Sequence, residues 1–289
     1  MSERPGPVVV AGATGKQGGA VVAHLLQQGW QVRAMTRTKE SAAAQRLAQL
    51  GAEVVQADFL DRSSLTVALT GAYGAFSLQN TLSVGMAEEV MQGYAFADAA
   101  LACKVQHLVY VSICQADAQT GIEHFESKWH IEQHLRQIGL PNTVCRPVFF
   151  IENLVQVGGL TAMVWGALKH ALRGGRKLQV VSVDDVGAVV AQIFQAPANF
   201  VGQCIELVGD ELTFEEMVEI RLRVLGKRPF GLPVPSTLLR LIDPDLAAMF
   251  SWLHTTGFSA DLAAARAQFP SLRRFEEGYR LALQGAKTE

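Results

Sequence analysis

The stretch Val8-Val9-Val10-Ala11-Gly12-Ala13-Thr14-Gly15-Lys16-Gln17-Gly18 constrains this chain more than any other. A run of β-branched residues, suited to a buried strand, ends on glycines at every third position and passes into an amphipathic segment. The spacing predicts a strand, a tight turn and a helix. Gly12 supplies the turn, Gly15 lets backbone N–H groups approach a pyrophosphate, and Gly18 lets the helix pack closely on the strand. Thr14, Lys16 and Gln17 stand at the mouth of that turn, where the positive end of the helix dipole faces an anion. Glycine triplets also make ordinary turns, so the flanking pattern decides. Val21, Val22, Leu25 and Leu26 form a helical stripe that stops at Gly29, and residues 31–36 read as the next strand.

Strand-like segments at 8–11, 31–36, 53–57, 75–78, 107–113 and 143–146 alternate with helical patterns. Such alternation predicts an α/β fold of the Rossmann type, a doubly wound parallel sheet whose ligands bind at the carboxyl ends of the strands. After Pro147 the pattern changes to Phe149-Phe150-Ile151, an apolar segment over 154–168 and the basic loop Arg173-Gly174-Gly175-Arg176-Lys177. This reads as a smaller, mainly helical C-terminal substrate lobe. The expected division is a dinucleotide-binding domain over 1–150 and a substrate lobe over 151–289, with about 180–208 returning to the first domain. The proline-rich stretch 229–235 reads as a hinge before the last helices.

A net charge of -2 gives no basic stripe to neutralise phosphates, which argues against nucleic-acid binding. No apolar run reaches membrane-spanning length, and residues 1–7 carry no signal segment, so a cytoplasmic protein is expected. Cys103, Cys114, Cys145 and Cys204 lack metal spacing and read as small buried apolar residues of a reducing compartment, with Cys114 a candidate redox-responsive thiol. His130-Ile131-Glu132-Gln133-His134 resembles a zinc-protease helix with the glutamate one place late, but Ser127, His130, His134 and Gln137 form a stripe read as solvated, and no metal is expected. No Gly-x-Ser-x-Gly elbow supports serine hydrolysis.

A fold that prefers NAD places an acid at the end of the second strand. Here no Asp or Glu occurs between Gly18 and Lys39, and Thr36-Arg37-Thr38-Lys39 closes the strand. A guanidinium fork at Arg37, with Lys39 beside it, suits the 2'-phosphate of NADP(H). Asp58 and Phe59 follow the third strand where the adenine would lie, and Leu78 and Gln79 end the fourth beside the same groove. Asp61 reads as a helix N-cap.

Ser112 closes Val109-Tyr110-Val111-Ser112, and the helix that follows bears Lys128 with His124 one turn earlier. Short-chain dehydrogenases place a tyrosine where His124 stands. His124, Lys128, Ile131, Leu135 and Ile138 share one helical stripe, so both polar residues are expected to face inward near the ligand cleft. Lys128 would donate to the nicotinamide ribose, and His124 to a substrate oxygen. Hydride transfer to an electrophilic acceptor such as a quinone needs less acid assistance than carbonyl reduction.

These residues resemble the NmrA-like family of atypical short-chain dehydrogenase/reductases over nearly the whole chain. The likeness rests on the glycine turn, Thr36-Arg37, Ala57-Asp58, His124-Phe125-Glu126-Ser127-Lys128, Arg146-Pro147, Phe150-Ile151-Glu152-Asn153 and Phe200-Val201-Gly202-Gln203. The resemblance implies an NADP-preferring Rossmann fold with Pro147, Phe149 and Phe150 lining the nicotinamide pocket. Relatives include reductases of quinones and related aromatics as well as nucleotide-sensing regulators. Two functions follow. One is an NADPH-dependent reductase with an apolar pocket built from Phe149, Phe150, Trp165 and the C-terminal lobe, acting on a quinone or other electrophilic aromatic or alkene. The other is a non-catalytic NADP(H) sensor acting through a regulatory protein partner. The segment 154–168 fits a pocket wall or the contact surface of a homodimer.

Overall fold

The computed structural model describes residues 4–80, 84–155, 159–231, 239–241 and 243–286. Two compact units share the chain. The first comprises Met1–Asp117, Glu123–Arg146 and Val186–Ile205, and the second Ala118–Ile122, Pro147–Asp185 and Glu206–Glu289.

In the first unit, strands and helices alternate as β1 (Val8–Val10), α1 (Lys16–Gln27), β2 (Val32–Thr36), α2 (Ala42–Gln49), β3 (Glu53–Gln56), α3 (Arg62–Leu69), β4 (Gly74–Ser77), α4 (Met86–Ala102), β5 (His107–Val111), α5 (Glu123–Ile138) and β6 (Asn142–Pro147). The sheet runs β3-β2-β1-β4-β5-β6-β9, with β9 being Cys204–Leu207. β1 pairs parallel with both β2 and β4, Val9 lying opposite Arg33 on one side and Ala75 on the other. Strand order therefore reverses at β1, and the carboxyl ends of β1 and β4 flank the crevice where such sheets bind ligands. Val8, Val9 and Val10 are fully buried, as a central strand covered on both faces requires.

One face of the sheet packs under α3, α4 and α5 through Leu65, Phe96, Ala100, Ile131 and Leu135. On the other face, Phe194 of α7 (Val183–Gln195) lies where a Cβ on Gly74 would fall 2.5 Å from its ring. The expected N-cap forms, with Asp61 accepting from Ser63 N (2.9 Å) and Ser64 N (3.3 Å) at the start of α3.

The second unit holds α6 (Gly159–Ala171), α8 (Phe214–Leu225), α9 (Pro244–Thr255), α10 (Leu262–Gln268) and α11 (Phe275–Gly285). It also holds a three-stranded sheet in the order β10-β8-β7, formed by β10 (Asp210–Thr213), β8 (Lys177–Val181) and β7 (Phe149–Phe150). β8 is antiparallel to β10 and parallel to β7. Trp165, Leu168, Val180, Met217, Phe275 and Tyr279 form its core. The expected hinge at 229–235 falls, from 232 on, outside the described residues, as do 156–158 of the apolar segment. Among the described residues no helix is long and apolar enough to cross a membrane.

Candidate functional site

The glycine turn fits its sequence reading atom by atom. Gly12 has φ +65°, and a Cβ on Gly18 would lie 2.2 Å from Gly12 O, so α1 can meet the end of β1 only through hydrogen atoms. Gly15 donates to Gly12 O (3.0 Å) and is the N-cap of α1 with no side-chain cap, and no acid occupies the first helical turn. Thr14, Gly15 and Lys16 are exposed, leaving first-turn N–H groups open to an anion. Gln17 Oε1 is buried without a partner among the described residues, an acceptor that a bound donor would satisfy.

At the end of β2, Arg37 and Lys39 are exposed, and the Arg37 guanidinium engages none of the described residues. Its backbone carbonyl accepts from Gln56 Nε2 (3.1 Å), which fixes the loop while leaving the side chain available. After β3, an Asp58 carboxylate oxygen accepts from Leu60 N (2.8 Å) in a local turn. Phe59 sits edge-on to Phe96 with centroids 5.7 Å apart and packs against the core. Asp58 thus keeps a second oxygen for a ligand, whereas Phe59 is largely a packing residue.

Leu78 and Gln79 join the glycine turn to α5. A Cβ on Gly12 would lie 3.5 Å from Leu78 O, and the next carbonyl, Gln79 O, accepts from Lys128 Nζ (2.9 Å). Lys128 is 9% exposed and pairs with the fully buried Glu89 at 2.6 Å. Glu89 also accepts from Ser127 Oγ, and the Lys128 ammonium lies 5.8 Å from the Tyr110 ring centroid. Two of its three N–H donors are thereby engaged. Gln79 Nε2 donates to Ser77 Oγ (3.0 Å), and Gln79 Oε1 is buried without a partner among the described residues. A group with hydroxyl or amide donors would satisfy that oxygen.

Glu89 was not singled out by the sequence reading, though a signal existed. Glu89, Gly93, Phe96, Ala97 and Ala100 follow helical spacing on the buried face of α4, so Glu89 is an acid inside an apolar stripe. Gly93 explains the reach of Lys128. A Cβ there would stand 2.5 Å from Ile131 Cδ1, so glycine lets α4 and α5 approach closely. The same packing corrects the expectation for Ser127, which is fully buried under α4 and not solvated.

Ser112 is committed elsewhere. Its hydroxyl donates to Glu132 Oε1 (2.6 Å), and Glu132 receives Arg146 through Nε (2.9 Å) and Nη2 (2.7 Å). Burial opposes the Arg146 charge, but the hydrogen bonds and charge of Glu132 outweigh it and hold its pKa above the ordinary value. Ser112 and Arg146 end neighbouring strands, so this bidentate pair ties the carboxyl ends of β5 and β6 to α5. His124 is half-buried, edge-on to Phe125 with centroids 4.9 Å apart. His134 meets Asp98 Oδ1 at 2.7 Å and stacks on Tyr94, while His130 is exposed. Among the described residues no group of three or more His, Cys, Asp or Glu could hold a metal ion.

In the second unit, Pro147 ends β6, Phe149 is 6% exposed and Trp165 is 1% exposed. Trp165 Nε1 donates to Leu154 O (3.2 Å). Phe149 and Trp165 pack in the core cluster of this unit, and Phe150 is half-buried. Glu152 accepts from Ser182 Oγ (2.9 Å) and Val183 N (3.0 Å), closing the start of α7, and its burial raises its pKa. Cys114 and Cys145 are buried as expected, but Cys103 is half-buried and Cys204 exposed, because Cys204 lies on the edge strand of the sheet. Burial of Cys114 removes the exposure that a redox-responsive thiol requires.

The NmrA-like family model matches residues 6–271. The chain belongs to the NmrA-like family. Its NmrA-like relative from Cladobotryum sp., the domain-containing oxidoreductase FrzB, is 31% identical over 287 residues, covering 86% of this chain and 84% of the relative. Triphenylmethane reductase of Citrobacter sp., crystallised with NADP(H), has a TM-score of 0.76 at 21% identity and covers 96% of this chain and 99% of its own. NmrA, a negative transcriptional regulator crystallised with NADP, has a TM-score of 0.78 at 20% identity and covers 99% of this chain and 98% of its own. At such identities the two structures establish that this NmrA-like chain has their Rossmann-like fold.

Proposed function

We propose that this NmrA-like protein is an NADPH-dependent reductase that passes hydride to a quinone or another electrophilic aromatic or alkene. One observation carries the reading: the buried Lys128 ammonium is held on Gln79 O, one residue from the Leu78 carbonyl that abuts the glycine turn. A pyrophosphate on the α1 N-terminus, an adenosine 2'-phosphate at Arg37 and a ribose at Lys128 would lie along the ends of β1, β2 and β4. The orphaned Gln79 Oε1 and the cradle that a Cβ at Gly18 would fill fit that group. Bound NADPH supplies a hydride, and with one proton from solvent a quinone becomes the hydroquinone and the cofactor NADP+. In this role Lys128 is a donor to the ribose through its third N–H, and Glu89 holds it aimed.

The sensor reading is favoured by the Ser112 hydroxyl, which is bound to Glu132 and so withdrawn from proton transfer. Nucleotide occupancy would then act on a protein partner through differential affinity. NADPH oxidation across quinones, activated alkenes and aldehydes, with Lys128→Ala in parallel, separates the two. Turnover that collapses in the variant supports the reductase. Tight NADPH binding with no turnover of any acceptor replaces it with the sensor.

A further inference from the structure

The second unit contains a cavity of about 500 Å³ that none of the residues discussed so far lines. Its volume falls within the roughly 300–1,000 Å³ range of small-molecule sites. One wall is a single face of α9, where Pro244, Ala248, Ser251, Trp252 and Thr255 recur at helical spacing. The other face of that helix, carrying Ala247, Phe250 and Leu253, is buried in the core. The helix is thus anchored by one side and presents the other to the cavity. Thr120 and Ile122, just before α5, form a second wall, and Arg240 is the remaining lining residue among those described.

The chemistry of this lining is uneven. Trp252 is half-buried and braced edge-on by Phe258 with centroids 5.1 Å apart, which fixes the plane of the indole. Ile122 is 1% exposed, so it backs the cavity wall from within the core and offers a ligand little open surface. Ala248 keeps the face of α9 shallow between them. Arg240 is exposed and engages none of the described residues. Three other arginines of the unit are paired, Arg273 with Asp184 and Asp185, and Arg223 and Arg280 with Glu276, whereas Arg176 and Arg228, like Arg240, engage none of the described residues. The acid nearest Arg240 in sequence whose bonding is defined, Asp243, caps α9 by accepting from Leu246 N (2.9 Å). A guanidinium without an acid, beside a fixed indole and an apolar wall, recognises a planar ring bearing a carboxylate or sulfonate.

The geometry points to this cavity as a binding site for a flat aromatic anion, its rings stacked on Trp252 and its acidic group paired with Arg240. Ser251 and Thr120 add hydroxyls at the rim. The inference stands independently of the reductase reading, since it concerns binding alone.

Anthraquinone-2-sulfonate and the neutral 2-(hydroxymethyl)anthraquinone serve as a matched pair of probes. Each is titrated calorimetrically into the protein, the Arg240→Gln variant and the Arg37→Ala variant, all saturated with NADP+, which carries no hydride to reduce the quinone ring of either probe. The Arg37 comparison matters because a dinucleotide site can itself take an aromatic sulfonate. Arg240 is exposed, so its replacement leaves the core intact, and a Trp252→Leu variant probes the stacking surface separately. The expected result is sulfonate binding weakened by about tenfold or more in Arg240→Gln, in line with loss of a charge-assisted hydrogen bond, with the neutral probe and the Arg37→Ala variant unaffected. Trp252→Leu should weaken both probes. Equal binding of the two probes to the unmodified protein, sulfonate binding that survives Arg240→Gln, binding lost only in Arg37→Ala, or no binding of either probe would each overturn the inference.

Discussion

Thr143 Oγ1 donates to Phe200 O (2.8 Å), so it can only accept from His107 Nε2 (2.8 Å), and this fixes the tautomer of a buried histidine. The other ring nitrogen, Nδ1, then carries a lone pair, is buried and has no partner among the described residues. A proton placed there would find no acceptor, and burial lowers the His107 pKa from 6.5 to about 4. The unfolded chain therefore takes up this proton first as pH falls. Stability from this residue is whole above pH 6.5, is lost between there and about pH 4, and levels off below, a change of about 3 kcal/mol. Urea unfolding of the wild type and His107→Gln across that window should show a shallower pH slope in the variant. Parallel slopes would place the acid sensitivity elsewhere. Arg37 is a second residue with a sharp expectation. Its free guanidinium predicts that Arg37→Ala weakens NADPH by about 1.5–3 kcal/mol and leaves NADH nearly unchanged. Calorimetric titration with each cofactor checks this, and equal losses would remove Arg37 from 2'-phosphate recognition.

At the scale of elements, the contact between β1 and α1 is the most tightly specified. Gly18→Ala puts a methyl 2.2 Å from Gly12 O, against backbone that has no softer neighbour to displace. Overpacking of this kind costs about 1–3 kcal/mol, and the helix can relieve it only by drawing its N-terminus away from the turn. The variant should unfold at lower urea and lose NADPH binding together; NADPH affinity unchanged would show that the helix end does not hold the phosphates. This contact was legible in the sequence because a glycine at a fixed offset from a strand has few other uses. The ion pair between α4 and α5 was legible only by half. Lys128 lies on an apolar stripe whose inward face is clear from spacing, but its partner Glu89 is 39 residues away, and no local pattern records a pairing across two helices. Ser127 shows the converse. Spacing placed it with His130 and His134, and only the packing of α4 over that edge of α5 buries it.

For the molecule as a whole, the parallel sheet could be read from alternation because short strands with valine- or alanine-rich centres recur between helical patterns, even where β2, β3 and β6 carry polar residues. The second sheet could not. β7 has two residues, and β10 begins Asp210-Glu211 on the outer edge of its sheet, so neither shows the period of a buried strand. Phe149, expected at the nicotinamide pocket from the family resemblance, and Trp165, expected with it in an apolar substrate pocket, both pack in the core of the second unit. Aromatic residues satisfy core and pocket patterns equally well, and the fold that separates the two is not local. The arrangement of Gly18, Gln79 and Lys128 along one edge of the sheet is, by contrast, a consequence of strand order. Single-turnover oxidation of NADPH by menadione, run with cofactor deuterated on either face of the nicotinamide C4, tests most directly whether that arrangement transfers hydride. The account predicts slower oxidation with one deuterated epimer and an unchanged rate with the other; no oxidation, or oxidation indifferent to both labels, would contradict it.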